Sequence, residues 1–277
     1  MTRSPLPVLL TPAPEPLPVF RLRAWHGALV AVVFAVTATY AQAQGGGSGS
    51  LSALGVIIKW SPLLLSGFLF NLAISVMAMA LGTAAGVMLG LMQLSLLPPV
   101  RHFAWAFTQF FRNAPWLVLL FFAMFLIPFQ FEVFGTTVPF PDWVKAVIGF
   151  SLPVMANVSE IVRGAVQSIP SGQWEASESL AFSRRQTIWR IILPQCLKRM
   201  LPPWMNIYSL VTMATVLASV VGVSEMLTLT AQVHAAEGGS PSLLAPLYGF
   251  ALLCFFAYCY PINAWTVRLE RRFHVTT

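Results

Sequence analysis

The chain has 277 residues, of which 57% are hydrophobic and only 9% are charged. A soluble domain carries about 25% charged residues, so this shortage, together with long uncharged runs, excludes an ordinary soluble protein and indicates an integral membrane protein. The formal net charge of +7 does not indicate a nucleic-acid-binding protein, because the cations lie between apolar segments and not along one face.

A proline-rich stretch opens the chain, and residues 1–23 are expected to form an extended cytoplasmic tail. The apolar segment at 24–43 follows Arg21 and Arg23 and is predicted to be a transmembrane anchor. Because it ends in small residues typical of a signal-peptidase site, a cleaved signal is the alternative. A glycine- and serine-rich run then predicts a linker at 44–61.

Five further apolar segments follow the linker. Each contains enough residues to cross a hydrocarbon core of about 30 Å as a helix that rises about 1.5 Å per residue. The sequence therefore predicts an all-α, polytopic transmembrane protein with a membrane domain at 62–270 and a short C-terminal tail at 271–277. The five segments lie at 62–92, 114–131, 143–162, 203–227 and 243–267.

The basic residues predict the orientation of these helices. With the amino terminus in the cytoplasm and six crossings, only Lys59 and Lys145 lie outside, whereas the opposite orientation would translocate nearly all the other cations. Both termini and the polar stretch 163–202 are therefore predicted to be cytoplasmic. The cytoplasmic cations are then Arg3, Arg21, Arg23, Arg101, Arg112, Arg163, Arg184, Arg185, Arg190, Lys198, Arg199, Arg268, Arg271 and Arg272.

Glycines recur at four-residue spacing in the first segment of the membrane domain, at Gly82, Gly86 and Gly90. Small residues at this spacing let two membrane helices approach each other closely. The glycine face is predicted either to form a static packing contact within the subunit or to form an intersubunit or moving contact, and the sequence leaves both alternatives open.

The longest polar stretch predicts a helical loop. Pro170 and Gly172 should end the preceding helix, and residues 173–180 suit a short helix with Glu175 in its first turn, where the helix dipole favours an anion. An amphipathic run follows, which Pro194 should break. The pattern predicts two short helices at an angle on the cytoplasmic side, with an ordinary amphipathic loop on anionic lipid as the alternative.

This stretch resembles the EAA loop of ATP-binding-cassette (ABC) import permeases, in which Glu-Ala-Ala is followed by three residues, a glycine, nine residues and Ile-x-Leu-Pro. The spacing is intact here, but Ser177 replaces the second alanine and Ala181 replaces the glycine. Since both substitutes are small, the helix–turn–helix is still expected, with a turn at Ala181 that avoids a strongly left-handed backbone. The resemblance assigns coupling to an ATPase to Glu175, Ala176, Ser177, Ala181, Ile191, Leu193 and Pro194.

More specifically, the chain is similar to permeases of the polar amino-acid (His/Glu/Gln/Arg/opine) branch over about residues 62–270. The stretches that carry this resemblance are 112–115 (Arg-Asn-Ala-Pro), 160–173 and 219–225. It implies a type I ABC importer permease fold, with five core helices and one N-terminal helix, that carries a polar or charged L-amino acid across a bacterial inner membrane. The run 213–217 lacks the lysine that many relatives carry, so no particular amino acid follows.

The same resemblance implies partners, not catalytic residues. A separate ATPase subunit would bind ATP and magnesium and accept the loop in a groove, since this chain contains no Gly-x-x-x-x-Gly-Lys-Ser/Thr phosphate loop. A periplasmic amino-acid-binding protein would dock on the other face, and a sister permease or a second copy of the chain would complete the membrane part. Membrane lipid surrounds the subunit, and no nucleic acid, metal or cofactor of its own is expected.

Polar side chains within the apolar segments are costly and are candidates for the substrate path. Glu160 could meet a substrate ammonium group, or it could pair with Arg163 on the same helix face. The hydroxyls within 212–219 share a face but could also bond back to their own helix. The candidate path residues are Asn157, Glu160, Thr212, Thr215, Ser219 and Glu225, with Asn71 and Asn206 as further intramembrane polar residues.

Two other classes of protein account less well for the sequence. An intramembrane metalloenzyme is not indicated, because the four histidines are scattered and none pairs with carboxylates at ligand spacing. A channel or an ion-coupled carrier would need no ATPase and would leave the loop at 175–194 unexplained. Within the ABC class, an exporter or an importer of a different substrate stays open.

Overall fold

The structure, a computed structural model, describes residues 53–133 and 136–273. The predicted tail at 1–23 and the predicted anchor at 24–43 lie outside these residues. The described elements are α1 (Ala53–Gln93), α2 (Pro98–Asn113), α3 (Trp116–Leu126), β1 (Gln130–Val133), β2 (Thr136–Pro139), α4 (Asp142–Gln167), α5 (Ser171–Ser179), a helical turn (Arg184–Gln186), a π-helical segment (Thr187–Ile192), α6 (Leu193–Ala214), a 3₁₀-helical segment (Thr215–Val221), α7 (Met226–Ala236) and α8 (Pro241–Phe273).

Four of the described helical stretches are long and apolar enough to cross a membrane, and there are up to five if the bent pair α2–α3 counts as one crossing. The four are α1, α4, the continuous stretch from Arg184 to Val221, and α8. They coincide with four of the five predicted segments. The α-helical, polytopic fold is thereby confirmed.

α1 begins at Ala53, inside the predicted linker at 44–61, so the second half of that linker prediction is wrong. The early start has a packing reason, because Val56 joins an apolar cluster with Val233 of α7 and Leu247 of α8. Burial of apolar surface offsets the entropy cost of ordering this turn. With 41 residues, α1 is about 60 Å long, roughly twice the hydrocarbon thickness, and its ends extend beyond the apolar core.

The prediction that residues 114–131 form a single crossing helix is wrong. α3 has 11 residues, a length of about 16 Å that cannot cross the hydrocarbon core alone. It is bent by 106° from α2. The bend has a local cause, because Ala114 precedes a proline and is extended (φ −76°, ψ 138°), while Pro115 caps the start of α3.

A β-hairpin, which the sequence analysis did not predict, connects α3 to α4. Its two strands pair antiparallel, with Phe131 opposite Val138, and both side chains are exposed. Close by in the chain, Lys145 is fully buried. Its Nζ lies 3.1 Å from the centroid of the Phe129 ring and 3.5 Å from Oδ1 of Asp142. An aromatic face and a carboxylate thus compensate a cation that burial would otherwise disfavour.

The packing of α1 on α4 uses the predicted glycine face. A Cβ added at Gly86 would lie 2.7 Å from the backbone oxygen of Met155, and a Cβ added at Gly82 would lie 2.9 Å from that of Ser151. Gly90 approaches α4 in the same way. The alternative that this face packs within the subunit is therefore confirmed.

The stretch from Arg184 to Val221 is continuous, so the prediction that Pro194 breaks a helix is wrong. The π-helical segment ends at Ile192, and Pro194 stands in the first turn of α6. At this position the missing N–H of proline costs little and its restricted φ suits a helix. The second predicted short helix is therefore the start of a long one.

The predicted helix at 203–227 ends early, at Val221. Gly222 closes the 3₁₀-helical segment with a left-handed backbone (φ +88°), which few residues other than glycine adopt without strain. A separate helix, α7, then begins after Glu225, whose side chain accepts a hydrogen bond from the backbone N–H of Thr228 (2.9 Å). This helix was not predicted from the sequence.

Gly86→Ala tests the packing of α1 on α4. We expect it to lower the free energy of unfolding by about 1–3 kcal/mol, because the added methyl group forces the two helices apart. The loss is measured by thermal unfolding in detergent. Samples are heated, and the protein that stays folded is quantified by size-exclusion chromatography. Gly172→Ala is the matched control, since a Cβ there meets nothing within 4 Å. Equal stability of the two variants would contradict the close approach.

Candidate functional site

The first half of the predicted coupling loop is α5. This helix begins at Ser171, so Glu175 lies in its second turn and the prediction that places it in the first turn is wrong. The side chains of Glu175 and Ala176 are exposed. Ser177 is buried, and its hydroxyl donates a hydrogen bond to the backbone oxygen of Gln173 (2.7 Å). The Glu-Ala pair is thus available to a partner, whereas the serine faces the subunit.

Ala181 follows α5 in a left-handed backbone conformation (φ +56°), so the prediction that this turn avoids such a backbone is wrong. Its N–H donates to the oxygen of Glu178 (2.8 Å), and the N–H of Phe182 donates to the oxygen of Ser177 (3.1 Å). These two bonds form a Schellman motif, which places a left-handed residue, usually glycine, at this point. The motif is retained even though alanine costs about 1–2 kcal/mol in this conformation.

The apolar residues of the motif join the loop to the end of α4. Ile192 is fully buried, and Ile191 and Leu193 pack on a cluster that includes Ile169. Pro194, in contrast, is exposed. One face of the loop is therefore fastened to the membrane helices, while the other face is open to a partner.

Arg184 ties the loop to α1. Its Nη2 donates a hydrogen bond to the backbone oxygen of Leu94 (3.1 Å), and its guanidinium lies 6.0 Å from the centroid of the Trp174 ring. Arg184 and Trp174 border a cavity of about 370 Å³ that also includes Glu175 and Glu178. The loop surface therefore offers both carboxylates and an aromatic side chain.

A second cavity, of about 500 Å³, lies between α2, α4 and α6. It brings together Asn157 and Glu160 of the predicted path and the intramembrane Asn206. It also includes Arg112 and Arg199, neither of which was predicted to line the substrate path. No spacing rule could have found this pair, because the two arginines come from helices far apart in the chain.

Glu160 is held by two guanidinium groups. Nε of Arg163 lies 3.2 Å from both carboxylate oxygens, and its Nη2 donates to Oε2 at 2.7 Å. Nη1 of Arg112 lies 3.6 Å from Oε2. The predicted ion pair along one helix face is therefore confirmed, and the second arginine adds a link from α4 to α2.

The other predicted path residues lie elsewhere. Thr212, Thr215 and Glu225 are fully buried and do not border the cavity. The hydroxyl of Thr215 donates to the backbone oxygen of Thr212 (2.7 Å), and that of Ser219 donates to the backbone oxygen of Val216 (2.7 Å). The alternative that these hydroxyls bond back to their own helix is confirmed. Within the part of the chain that the structure describes, no cluster of His, Cys, Asp and Glu could hold a metal ion.

The fold defines a class of protein, namely an α-helical, multi-pass membrane protein with an exposed helical loop. Residues 82–275 match the family model described as "Binding-protein-dependent transport system inner membrane component". The chain belongs to this family and is the permease subunit of an ABC importer, not an enzyme. The family implies a separate ATPase subunit and a substrate-binding protein as partners.

Individual relatives cover most of the chain. The L-cystine transport system permease protein TcyB of Bacillus subtilis (strain 168) is 31% identical over 228 residues, covering 79% of this chain and 93% of TcyB. The glutamate/aspartate import permease protein GltK of Escherichia coli O157:H7 is 36% identical over 149 residues, covering 53% of this chain and 66% of GltK. The solved structure of an amino acid ABC transporter with histidines has the same fold, with a TM-score of 0.67, 23% identity and coverage of 78% and 97%.

Ala181→Gly tests the turn after α5. We expect this variant to gain about 1 kcal/mol in the free energy of unfolding, because glycine adopts the left-handed backbone without a Cβ clash. Ala176→Gly is the matched control, since Ala176 is exposed within α5, and there we expect a loss of about 0.5–1 kcal/mol. Thermal unfolding measures both, and a destabilised Ala181→Gly would contradict the left-handed turn.

Proposed function

We propose that this permease translocates a polar or charged L-amino acid. The observation that carries the proposal is the cavity between α2, α4 and α6, where Glu160 and Arg112 supply both signs of charge beside the amides of Asn157 and Asn206. A zwitterion needs an acceptor for its ammonium group and donors for its carboxylate, and both are present. The relatives named for L-cystine and for glutamate/aspartate transport support an amino-acid substrate.

The proposed coupling path runs from the loop to this cavity. Glu175, Ala176 and Pro194 would contact the ATPase, which binds ATP and magnesium. Ile191 and Leu193 would pass on the movement, because they pack on the end of α4, the helix that carries Glu160. Closure of the ATPase dimer would then bias the membrane helices between outward-open and inward-open arrangements.

The loop is proposed to be cytoplasmic, with both chain termini on the same side. The proposal rests on the basic residues, which are numerous near the loop and scarce near Lys59 and Lys145. The β-hairpin would then lie on the outer side, where a periplasmic amino-acid-binding protein docks. A sister permease or a second copy of the chain would complete the membrane part.

Purification of the tagged permease from its native membrane in mild detergent, with mass spectrometry of co-purifying proteins, tests the assembly. We expect an ATPase that carries a phosphate loop, and a sister permease if the complex is a heterodimer. The complex in lipid vesicles should take up radiolabelled glutamate, glutamine or cystine only with ATP and the binding protein present. A permease that purifies alone, with uptake independent of ATP, would contradict the proposal.

Glu175→Lys tests coupling through the loop. We expect ATP-dependent uptake to fall about tenfold or more, because a lysine reverses the charge that the exposed helix presents to the ATPase. Glu270→Lys is the matched control, since Glu270 is an exposed carboxylate near the end of α8. Uptake and ATPase association are measured together. Normal values for both in Glu175→Lys would remove this residue from coupling.

Glu160→Gln tests the substrate path. Glutamine keeps the shape but removes the charge that faces Arg163 and Arg112, so we expect uptake to fall about tenfold while the complex still assembles. Arg163→Gln separates the two roles of Glu160, because it removes the main ion-pair partner and leaves the carboxylate. If Glu160→Gln shows normal uptake and normal assembly, the residue has neither role.

A further inference from the structure

α7 is a short helix between two left-handed glycine joints. It has 11 residues, or about 16 Å, and so it does not cross the membrane alone. Gly222 precedes it with φ +88°, and Gly238 and Gly239 follow it with φ +85° and +68°. A Cβ at any of the three glycines would meet nothing within 4 Å, so the joints are not closely packed. Backbone freedom is therefore concentrated at the two ends of α7.

A buried polar cluster holds both the start of α7 and the 3₁₀-helical segment before Gly222 to α1. Nδ2 of Asn71 donates to Oε2 of Glu225 (2.9 Å) and to the hydroxyl of Thr215 (3.0 Å). Oδ1 of the same amide accepts the backbone N–H of Met226 (3.0 Å). Asn71, Thr215 and Glu225 are all fully buried. Separation of these segments from α1 would leave several polar groups without hydrogen-bond partners in an apolar medium. Each unpaired group there raises the free energy.

The end of α7 is fastened to α1 at the surface. Oε1 of Glu237 accepts hydrogen bonds from Nζ of Lys59 (2.7 Å) and from Nε1 of Trp60 (2.7 Å). The Lys59 ammonium, with help from the Trp60 N–H, holds the pKa of Glu237 below its ordinary value. The contact therefore persists as the pH falls through the usual range for glutamate, and it is lost only when the pH falls through the lowered pKa.

Between these two contacts the helices run antiparallel and touch. Asn71 meets the start of α7, and Trp60 meets its end. In between, a Cβ added at Gly67 would lie 2.9 Å from Cα of Met226 and 2.7 Å from the side chain of Leu229. The distance from residue 60 to 71 along α1, about 16 Å, matches the length of α7. α7 is thus in contact with α1 from its start to its end.

We propose that α1 and α7 move as one rigid body during the transport cycle and that bending is confined to the glycine joint at Gly238–Gly239, because the Asn71 cluster also holds Thr215, on the other side of Gly222, to α1. This inference rests on the proposed function, because it concerns how the importer alternates between two arrangements. Packed contacts favour movement as blocks, whereas unpacked glycine joints absorb changes of backbone angle. Because of these contacts, α7 moves together with α1 and does not act as a separately moving gate.

A covalent tether in place of the surface contact tests the proposal. Lys59→Cys and Glu237→Cys are combined after the three native cysteines, Cys196, Cys254 and Cys259, are replaced with alanine. The complex with its ATPase and binding protein is treated with a bifunctional thiosulfonate in vesicles. Uptake of radiolabelled glutamate, glutamine and cystine is then measured before and after reduction.

We expect uptake by the tethered complex to stay within about twofold of uptake by the same complex after reduction. Loss of uptake on tethering that reductant restores would overturn the proposal. The reduced, untethered complex tests the proposed function separately, since absence of uptake there would contradict amino-acid import and not the rigid block.

Spin labels on exposed positions give a second measurement that does not depend on the substrate. Ile58→Cys on α1 and Gln232→Cys on α7 form the test pair, and Thr137→Cys on the hairpin with Gln232→Cys forms the comparison pair. Distances are recorded in the nucleotide-free and the vanadate-trapped complex. We expect the α1–α7 distance to be the same in both states. A shift or a second population in that distance would overturn the proposal, whatever the comparison pair shows.

Discussion

α1 and α4 pack so closely that no side chain fits between them at Gly82, Gly86 and Gly90. In hydrocarbon, helices gain little from burying apolar surface, so close van der Waals contact must supply much of their attraction. The remaining elements are arranged around this pair. α2 and α6 pack on α4 and enclose the cavity with it, and α3 also packs on α4. α7 packs on α1, whereas α8 packs on both α1 and α6. The cavity with its polar groups therefore lies on the α4 side of the glycine contact, and α7 lies on the α1 side.

α4 links the two halves of the candidate site. Its last turns receive the apolar residues of the loop, with Ile192 fully buried there, and its middle carries Asn157 and Glu160. Glu160 is itself held by Arg163 on the same helix and approached by Arg112 of α2. A displacement of the loop would therefore reach the charged groups of the cavity through one continuous helix, without any intervening flexible segment.

The sequence predicted what depends on local pattern and missed what depends on tertiary contacts. Long apolar runs predicted the crossing helices, and three-residue spacing predicted the pairing of Glu160 with its own helix neighbour. The presence of Arg199 at the cavity could not be predicted, because it comes from a helix distant in the chain. Pro194 was misread because proline breaks a helix interior but suits a first turn, and only the preceding π-helical segment decides which applies. At Ala181, the hydrogen bonds that close α5 outweigh the steric preference of alanine.

The buried ammonium of Lys145 has a consequence for sequence variation in this family member. Surface hairpins usually tolerate insertions and substitutions, since little else depends on them. Here, the residue just before the first strand, Phe129, and the residue that opens α4, Asp142, compensate a cation with no access to solvent. The side chains of Phe131 and Val138 in the strands are exposed and do not contribute to this compensation. For the compensation of this buried cation, substitutions should therefore be tolerated well in the two strands and poorly at Phe129 and Asp142.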